Sequence, residues 1–235
     1  MSTEVSKAYV IASSKEWHRD SFDTLENECR GEWYWVSTPE ELVYVLQQRV
    51  HPRYIFFMHW SHRVPSEVWM KNECVCFHMT DLPYGRGGSP LQNLILRGHD
   101  ETVLTAFRMV EEMDAGPVYA KSPLSLSGTA EQIYLRAGEL SAQMIRSIVD
   151  KEPEPEEQQG EPVLFQRRKP EQSELPVRAS PEELYDFIRM LDAEGYPHAF
   201  TRHGELKMTY TQAELMEGEL TARVTVTKAS HGESL

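Results

Sequence analysis

Cysteine, long apolar runs and positive charge are all scarce in this chain. Cys29, Cys74 and Cys76 are the three cysteines among 235 residues, an odd number too small for a disulfide framework and one that fits a reducing compartment. No run approaches the roughly 20 apolar residues that span a bilayer, and Met1-Ser2-Thr3-Glu4 lacks the basic-then-apolar order of a secretory signal. The expectation is a cytoplasmic chain without a membrane partner. Lys and Arg number 24 against 37 Asp and Glu, a formal net charge of -13. Nucleic acids are held by cations set against phosphates, so this balance argues against nucleic acid as the main partner. A small anion needs only a few local donors and stays open.

A 235-residue chain that is 40% hydrophobic has enough for one large α/β domain and a smaller appendage. Lys7 to Ser13 is a short apolar run, and Trp17 to Cys29 reads as the helix that follows it. Glu32 to Val36 is a second strand. Thr38 then caps a helix with Pro39 at its first position and Glu41 three residues on. Tyr54 to Met58 is nearly all apolar, as a strand covered on both faces would be, and Glu73 to Phe77 is another strand. Ser89 to Arg97 reads as a helix start, Val103 to Val110 as a strand, and Thr129 to Val149 as a long helix started by Thr129 and Gln132. Such alternation predicts a Rossmann-like, doubly wound, mostly parallel sheet. The Pro- and Glu-rich stretch 151–162 reads as a linker. The division is then a main domain over 1–150 and a small C-terminal α+β domain over 163–235, with a helix at Pro181 to Leu191, a strand around Leu220 to Val226, and fraying over Lys228 to Leu235.

Ligands of doubly wound sheets bind beyond the carboxyl ends of the strands. Three such places are Ser13-Ser14, His59-Trp60-Ser61-His62, and His78. Cys74, Cys76 and His78 alternate, so a strand turns all three to one face. That invites a zinc reading, but no second Cys/His cluster supplies the usual four ligands, and two small thiols also suit a buried strand. No metal is expected.

The segment Phe77-His78-Met79-Thr80-Asp81-Leu82-Pro83-Tyr84-Gly85-Arg86-Gly87-Gly88-Ser89-Pro90, with Met113-Asp114-Ala115-Gly116 further on, resembles the signature of the folate-dependent formyltransferases, which include methionyl-tRNA, glycinamide-ribotide and sugar-nucleotide enzymes. The two motifs agree with that family in order and spacing, and Glu183 to Asp192 resembles the helix that begins its C-terminal domain. The wording is most similar to the branch that formylates aminosugar nucleotides such as pseudaminic-acid precursors; a related branch is a tailoring domain of nonribosomal peptide synthetases. The resemblance implies 10-formyltetrahydrofolate as formyl donor and a nucleotide-linked aminosugar as acceptor. It assigns catalysis to His78 and Asp114. It places the folate pocket at Trp60, Ser61, His62, Arg63 and Val64 with Met113 and Asp114, and the acceptor side at Met79, Asp81, Arg86, Gly87 and Gly88.

The chemistry agrees with those residue types. Formyl transfer to an amine needs an unprotonated nucleophile, stabilisation of a developing oxyanion and a proton route, and a histidine beside a carboxylate serves these roles near neutral pH. One departure stands out. The family's Asn two residues before the histidine, which polarises the formyl oxygen, is Cys76 here, and a thiol is a far weaker donor. Thr80 and His78 are the candidates to take over that task.

The same residues admit other readings. Cys76 could be a nucleophile instead. Gly85, Gly87 and Gly88 suit either a tight turn or a close ligand, Asp114 could be a turn residue, His59 and His62 could be plain strand-end residues, and Trp60 could be core or pocket wall. Formylation of an aminoacyl group on tRNA or a carrier protein, or a decayed binding protein, are the rival functions. Leu215, Met216 and Leu220 could pack on the main domain or across the axis of a homodimer.

Overall fold

The computed structural model describes residues 7–48 and 50–229; the fraying expected at the C-terminus lies, from residue 230 on, outside them. By internal contact the chain forms two compact units, one of segments 1–87, 102–124 and 135–164 and one of segments 88–101, 125–134 and 165–235. No helix among the described residues is long and apolar enough to cross a membrane.

The first unit is built on strands β1 (Ala8–Ala12), β2 (Glu32–Val36), β3 (Pro52–Phe57) and β4 (Cys74–His78), separated by helices α1 (Arg19–Glu28), α2 (Pro39–Gln47) and α3 (Ser66–Trp69). The six-stranded sheet runs β2-β1-β3-β4-β6-β7, counting β6 (Glu101–Arg108) and β7 (Val118–Ser125) after the short β5 (Tyr84–Gly87). β1 pairs in parallel with β2 and β3, and β3 with β4, while β4 and β6 are antiparallel. The expected mixed, mostly parallel α/β sheet is therefore present. Val10, Ala12, Ile55, Phe57 and Cys74 form one buried cluster with Val36, Leu42 and Val68, which is why β1 and β3 read as continuous apolar runs. Thr38 caps α2 as its sequence predicts, its hydroxyl accepting from Glu41 N at 3.2 Å.

β7 has no counterpart in the sequence reading, because Lys121-Ser122-Pro123 interrupts any apolar alternation. It lies at the edge of the sheet, where a proline costs no ladder bond. The stretch expected to link two domains is built into the first unit. Helix α5 (Ala130–Lys151) is followed by extended chain in which Glu156 and Val118 exchange backbone hydrogen bonds of 2.7 and 2.9 Å. An extended Pro- and Glu-rich segment makes no helix, yet its remaining N–H and C=O groups can pair.

The second unit holds helices α4 (Pro90–Ile95) and α6 (Pro181–Arg189), and a three-stranded antiparallel sheet of β9 (Ala199–His203), β10 (Leu206–Met216) and β11 (Glu219–Lys228) in the order β11-β10-β9. The short β8 (Val163–Phe165) is where the chain passes into it. Ser180 and Glu183 cap α6 reciprocally, and the buried Arg189 donates to the carbonyls of Leu126 and Gly128, satisfying groups left by the turn before α5.

Candidate functional site

β4 carries His78 to its carboxyl end, and the chain then turns sharply. Leu82 N donates to Thr80 O and Tyr84 N to Asp81 O, each at 3.0 Å, and the Leu82–Pro83 peptide bond is cis. The turn returns Gly85 to the histidine, so that Nε2 of His78 lies 2.8 Å from the Gly85 carbonyl oxygen. A carbonyl only accepts, so Nε2 carries the hydrogen and, in the neutral ring, Nδ1 carries the lone pair. Nδ1 faces Oδ2 of Asp114 at 3.8 Å, too far for a hydrogen bond. The same Oδ2 accepts from Gly87 N at 2.8 Å. Gly85, not Asp114, fixes the ring orientation; Asp114 supplies a negative charge nearby.

Asp114 sits in the loop that follows β6, with a φ of 55°, a left-handed conformation that Asp tolerates better than most side chains. Two residues on, a Cβ on Gly116 would lie 1.8 Å from Arg108 O. Only glycine lets the loop fold back on β6 there, which gives the Asp-x-Gly pattern a steric cause.

Thr80 is fully buried. Its hydroxyl points to the same Gly85 oxygen at 3.4 Å, and its own carbonyl accepts from Thr105 Oγ1 at 2.7 Å. Met79 is buried and its carbonyl accepts from Thr102. Asp81 is exposed and ion-paired with Lys121 at 2.5 Å. Arg86 donates to Gln158 and Glu112. At Gly88, within the second unit, the close neighbour is Arg167, 2.4 Å from where a Cβ would stand. Met113 is exposed.

Burial pushes the thiol of Cys74 up to about 12. It pushes Cys76 well above its ordinary value, with the charges of Cys74 and Asp114 adding to the effect. The thiolate is the form that attacks carbon or binds metal, so both sulfurs behave as small apolar groups. Among the described residues no set of three or more His, Cys, Asp and Glu side chains is arranged to hold a metal ion.

The expected folate loop follows β3. Trp60 packs edge-on against Phe57 and His62 at centroid distances of 5.8 and 5.3 Å. Trp60, Val64 and Cys76 all lie against the buried cluster that includes Phe57 and Cys74. Ser61 N donates to Ser14 Oγ at 3.2 Å, while Ser61, His62 and Arg63 are exposed. Nε1 of Trp60 is buried without a hydrogen-bond partner, an unfavourable state for a donor.

Two features escaped the sequence reading. Gln158 donates through Nε2 to the carbonyls of Asp114 and Gly116 at 2.8 and 2.9 Å; it lies in a Glu/Gln run that reads as solvated chain and carries no local signal. His18 is buried, with Nε2 2.9 Å from Nδ1 of His59, and Trp17 Nε1 donates to the same Nε2. Gly138 of α5 makes room for this ring, since a Cβ there would lie 2.5 Å from Nδ1 of His18.

A family model for the C-terminal domain of methionyl-tRNA formyltransferase matches residues 170–227. A methionyl-tRNA formyltransferase of Sorangium cellulosum is 32% identical over 135 residues, 54% of this chain; the chain spans 43% of that relative's length, under half. The solved structure of a methionyl-tRNA formyltransferase from Clostridium thermocellum superposes with a TM-score of 0.91 at 40% identity, covering 95% of this chain and 100% of the other. A 4-N formyltransferase from Francisella tularensis is similar in fold alone, at 14% identity and a TM-score of 0.65 over 97% of this chain and 99% of the other.

Proposed function

The chain belongs to the folate-dependent formyltransferase family, and from that premise we propose that it transfers a formyl group from 10-formyltetrahydrofolate to a primary amine. The observation that carries the reading is the ring of His78, anchored through Nε2 on Gly85 and presenting Nδ1 beside the Asp114 carboxylate. The loop Trp60-Ser61-His62-Arg63-Val64, with Met113 and Asp114, would hold the folate. The buried, unpartnered Nε1 of Trp60 fits a flat heterocycle rich in acceptors, and Val64 supplies apolar wall. When bound, the folate supplies a formyl group on a nitrogen able to leave.

An amine attacks carbon through its lone pair and must shed a proton as the new bond forms. Nδ1 of His78 is the group to take it. The cation so formed stands between a carbonyl oxygen and a carboxylate, and it gives the proton to the departing folate nitrogen as the bond from that nitrogen to the formyl carbon breaks, returning the ring to neutral. While charged, it also offers a charge-assisted donor to the developing oxyanion. That takes over the part the family assigns to Asn, which the protonated Cys76 plays poorly. Thr80 acts through Gly85, steadying the carbonyl that holds the ring.

For the acceptor we propose a nucleotide-linked aminosugar, with Met79, Asp81 and Gly87 on the acceptor side. The net charge of -13 disfavours a long polyanion and tolerates a nucleotide. The second reading is an aminoacyl group on tRNA, favoured by the 40% identity to the Clostridium thermocellum protein. Formyl-folate offered with a panel of aminosugar nucleotides and with charged tRNA separates the two, with formamide product measured by mass. Competition by a uridine or thymidine nucleotide belongs to the sugar reading. No formamide on any amine overturns formyl transfer itself, and a His78→Ala protein as active as the parent removes His78 from the mechanism.

A further inference from the structure

The carboxamide of Gln158 is placed where no substrate is needed to explain it. Its two N–H groups go to Asp114 O and Gly116 O at 2.8 and 2.9 Å. Its Oε1 accepts from Nε and Nη2 of Arg86 at 3.1 and 2.8 Å. All four hydrogen-bonding positions of the amide are used. The orientation is unambiguous, because a flipped amide would set N–H groups against a guanidinium and an oxygen against two carbonyls. Arg86 continues the chain through Nη1 to Glu112 Oε1 at 3.0 Å, and its side chain is 12% exposed.

These bonds join the two sides of the site. Arg86 precedes Gly87, whose N–H grips the Asp114 carboxylate, and Gln158 grips the backbone of Asp114 itself. The Asp114 loop is closed at its base by Arg108 N donating to Pro117 O at 2.8 Å; inside it Asp114 has a φ of 55° and the backbone bond from Ala115 N to Glu112 O is 3.3 Å long. The segment bearing Gln158 is anchored independently, through the paired backbones of Glu156 and Val118.

We propose that Gln158 is a positioning residue, bracing Asp114 at its distance from Nδ1 of His78, and that Arg86 acts as the other arm of the brace in place of a substrate contact. The kinetic part rests on the formyl-transfer reading; the structural part does not. Gln158→Leu keeps the bulk of the side chain and removes all four bonds. It should lower kcat for formyl transfer roughly 10- to 100-fold, the loss expected of hydrogen bonds to charged groups, and leave KM for the folate within about threefold. Hydrogen exchange at the Gly87 amide should rise by about tenfold or more, while the amides of β3 keep their protection; a general loss of stability would move both. An unchanged Gly87 rate overturns the brace whatever the kinetics, and so does a raised rate at parental kcat. If the parent protein transfers no formyl group at all, the functional reading falls and Gly87 exchange alone decides this one. Should Gln158→Leu fail to fold, Gln158→Glu retains the acceptor for Arg86, loses the two donors, and is held to the same readouts.

Discussion

Two groups of histidines stand at strand ends of the first unit, and their surroundings are opposite in kind. His78, after β4, has a carbonyl on one ring nitrogen and a carboxylate near the other. His18 and His59, beside the ends of β1 and β3, have each other and Trp17. Burial lowers His18 to about 4 and His59 to about 3, with the neighbouring His18 and Lys15 charges pressing His59 further. Those rings stay neutral across the physiological range, stacked at 5.1 Å. The proposed proton carrier has acceptors on both sides of its ring, whereas the pair His18 and His59 is polar core.

The largest test of that contrast is His78→Ala, expected to cost about 1000-fold in kcat/KM, against less than about tenfold for His59→Gln; comparable losses at both positions would erase the distinction. Next, Gly116→Ala forces a Cβ onto the Arg108 carbonyl and should destabilise the protein by about 3 kcal/mol, read from the urea midpoint. Asp114→Asn keeps an oxygen for the Gly87 N–H but removes the charge, and should lower kcat about 100-fold at unchanged thermal stability; parental kcat would strip the carboxylate of its electrostatic role. The smallest effect is acid stability. Both rings ionise less readily folded than unfolded, where the ordinary value is 6.5. Their contribution is intact above pH 6.5 and falls as pH drops toward 4, because the unfolded chain takes up protons first. Each ring should cost about 1.5 kcal/mol between pH 6.5 and 5. His59→Gln should roughly halve that slope in melts across this range, and an unchanged slope would place the acid sensitivity elsewhere.

Local chemistry was enough to read much of this molecule. The apolar runs of β1 and β3, the Thr38 cap of α2 and the Ser180–Glu183 cap of α6 are written in a few adjacent residues, and each element appears where those residues put it. The pairing of the His78 segment with the Asp114 segment was likewise legible, as two motifs at family spacing. β7 was not, since an edge strand is stabilised by its one neighbour and Pro123 hides it.

The sequence by itself determined strands β1 to β4 with helices α1 and α2 between them, the long helix α5, the acidic charge and the residue types at the site, because periodicity, caps and composition act over short distances. The tertiary structure alone decided which atom holds each histidine. Gly85 lies seven residues after His78 and takes Nε2 only because the turn folds back. Gln158 reaches Asp114 across 44 residues. His18 meets His59 across 41, and their neutrality follows from burial. Hydrogen-bond partners and desolvation are properties of what surrounds a side chain in space, and a solvated-looking Glu/Gln run gives no local sign that one of its amides is held against the Asp114 loop.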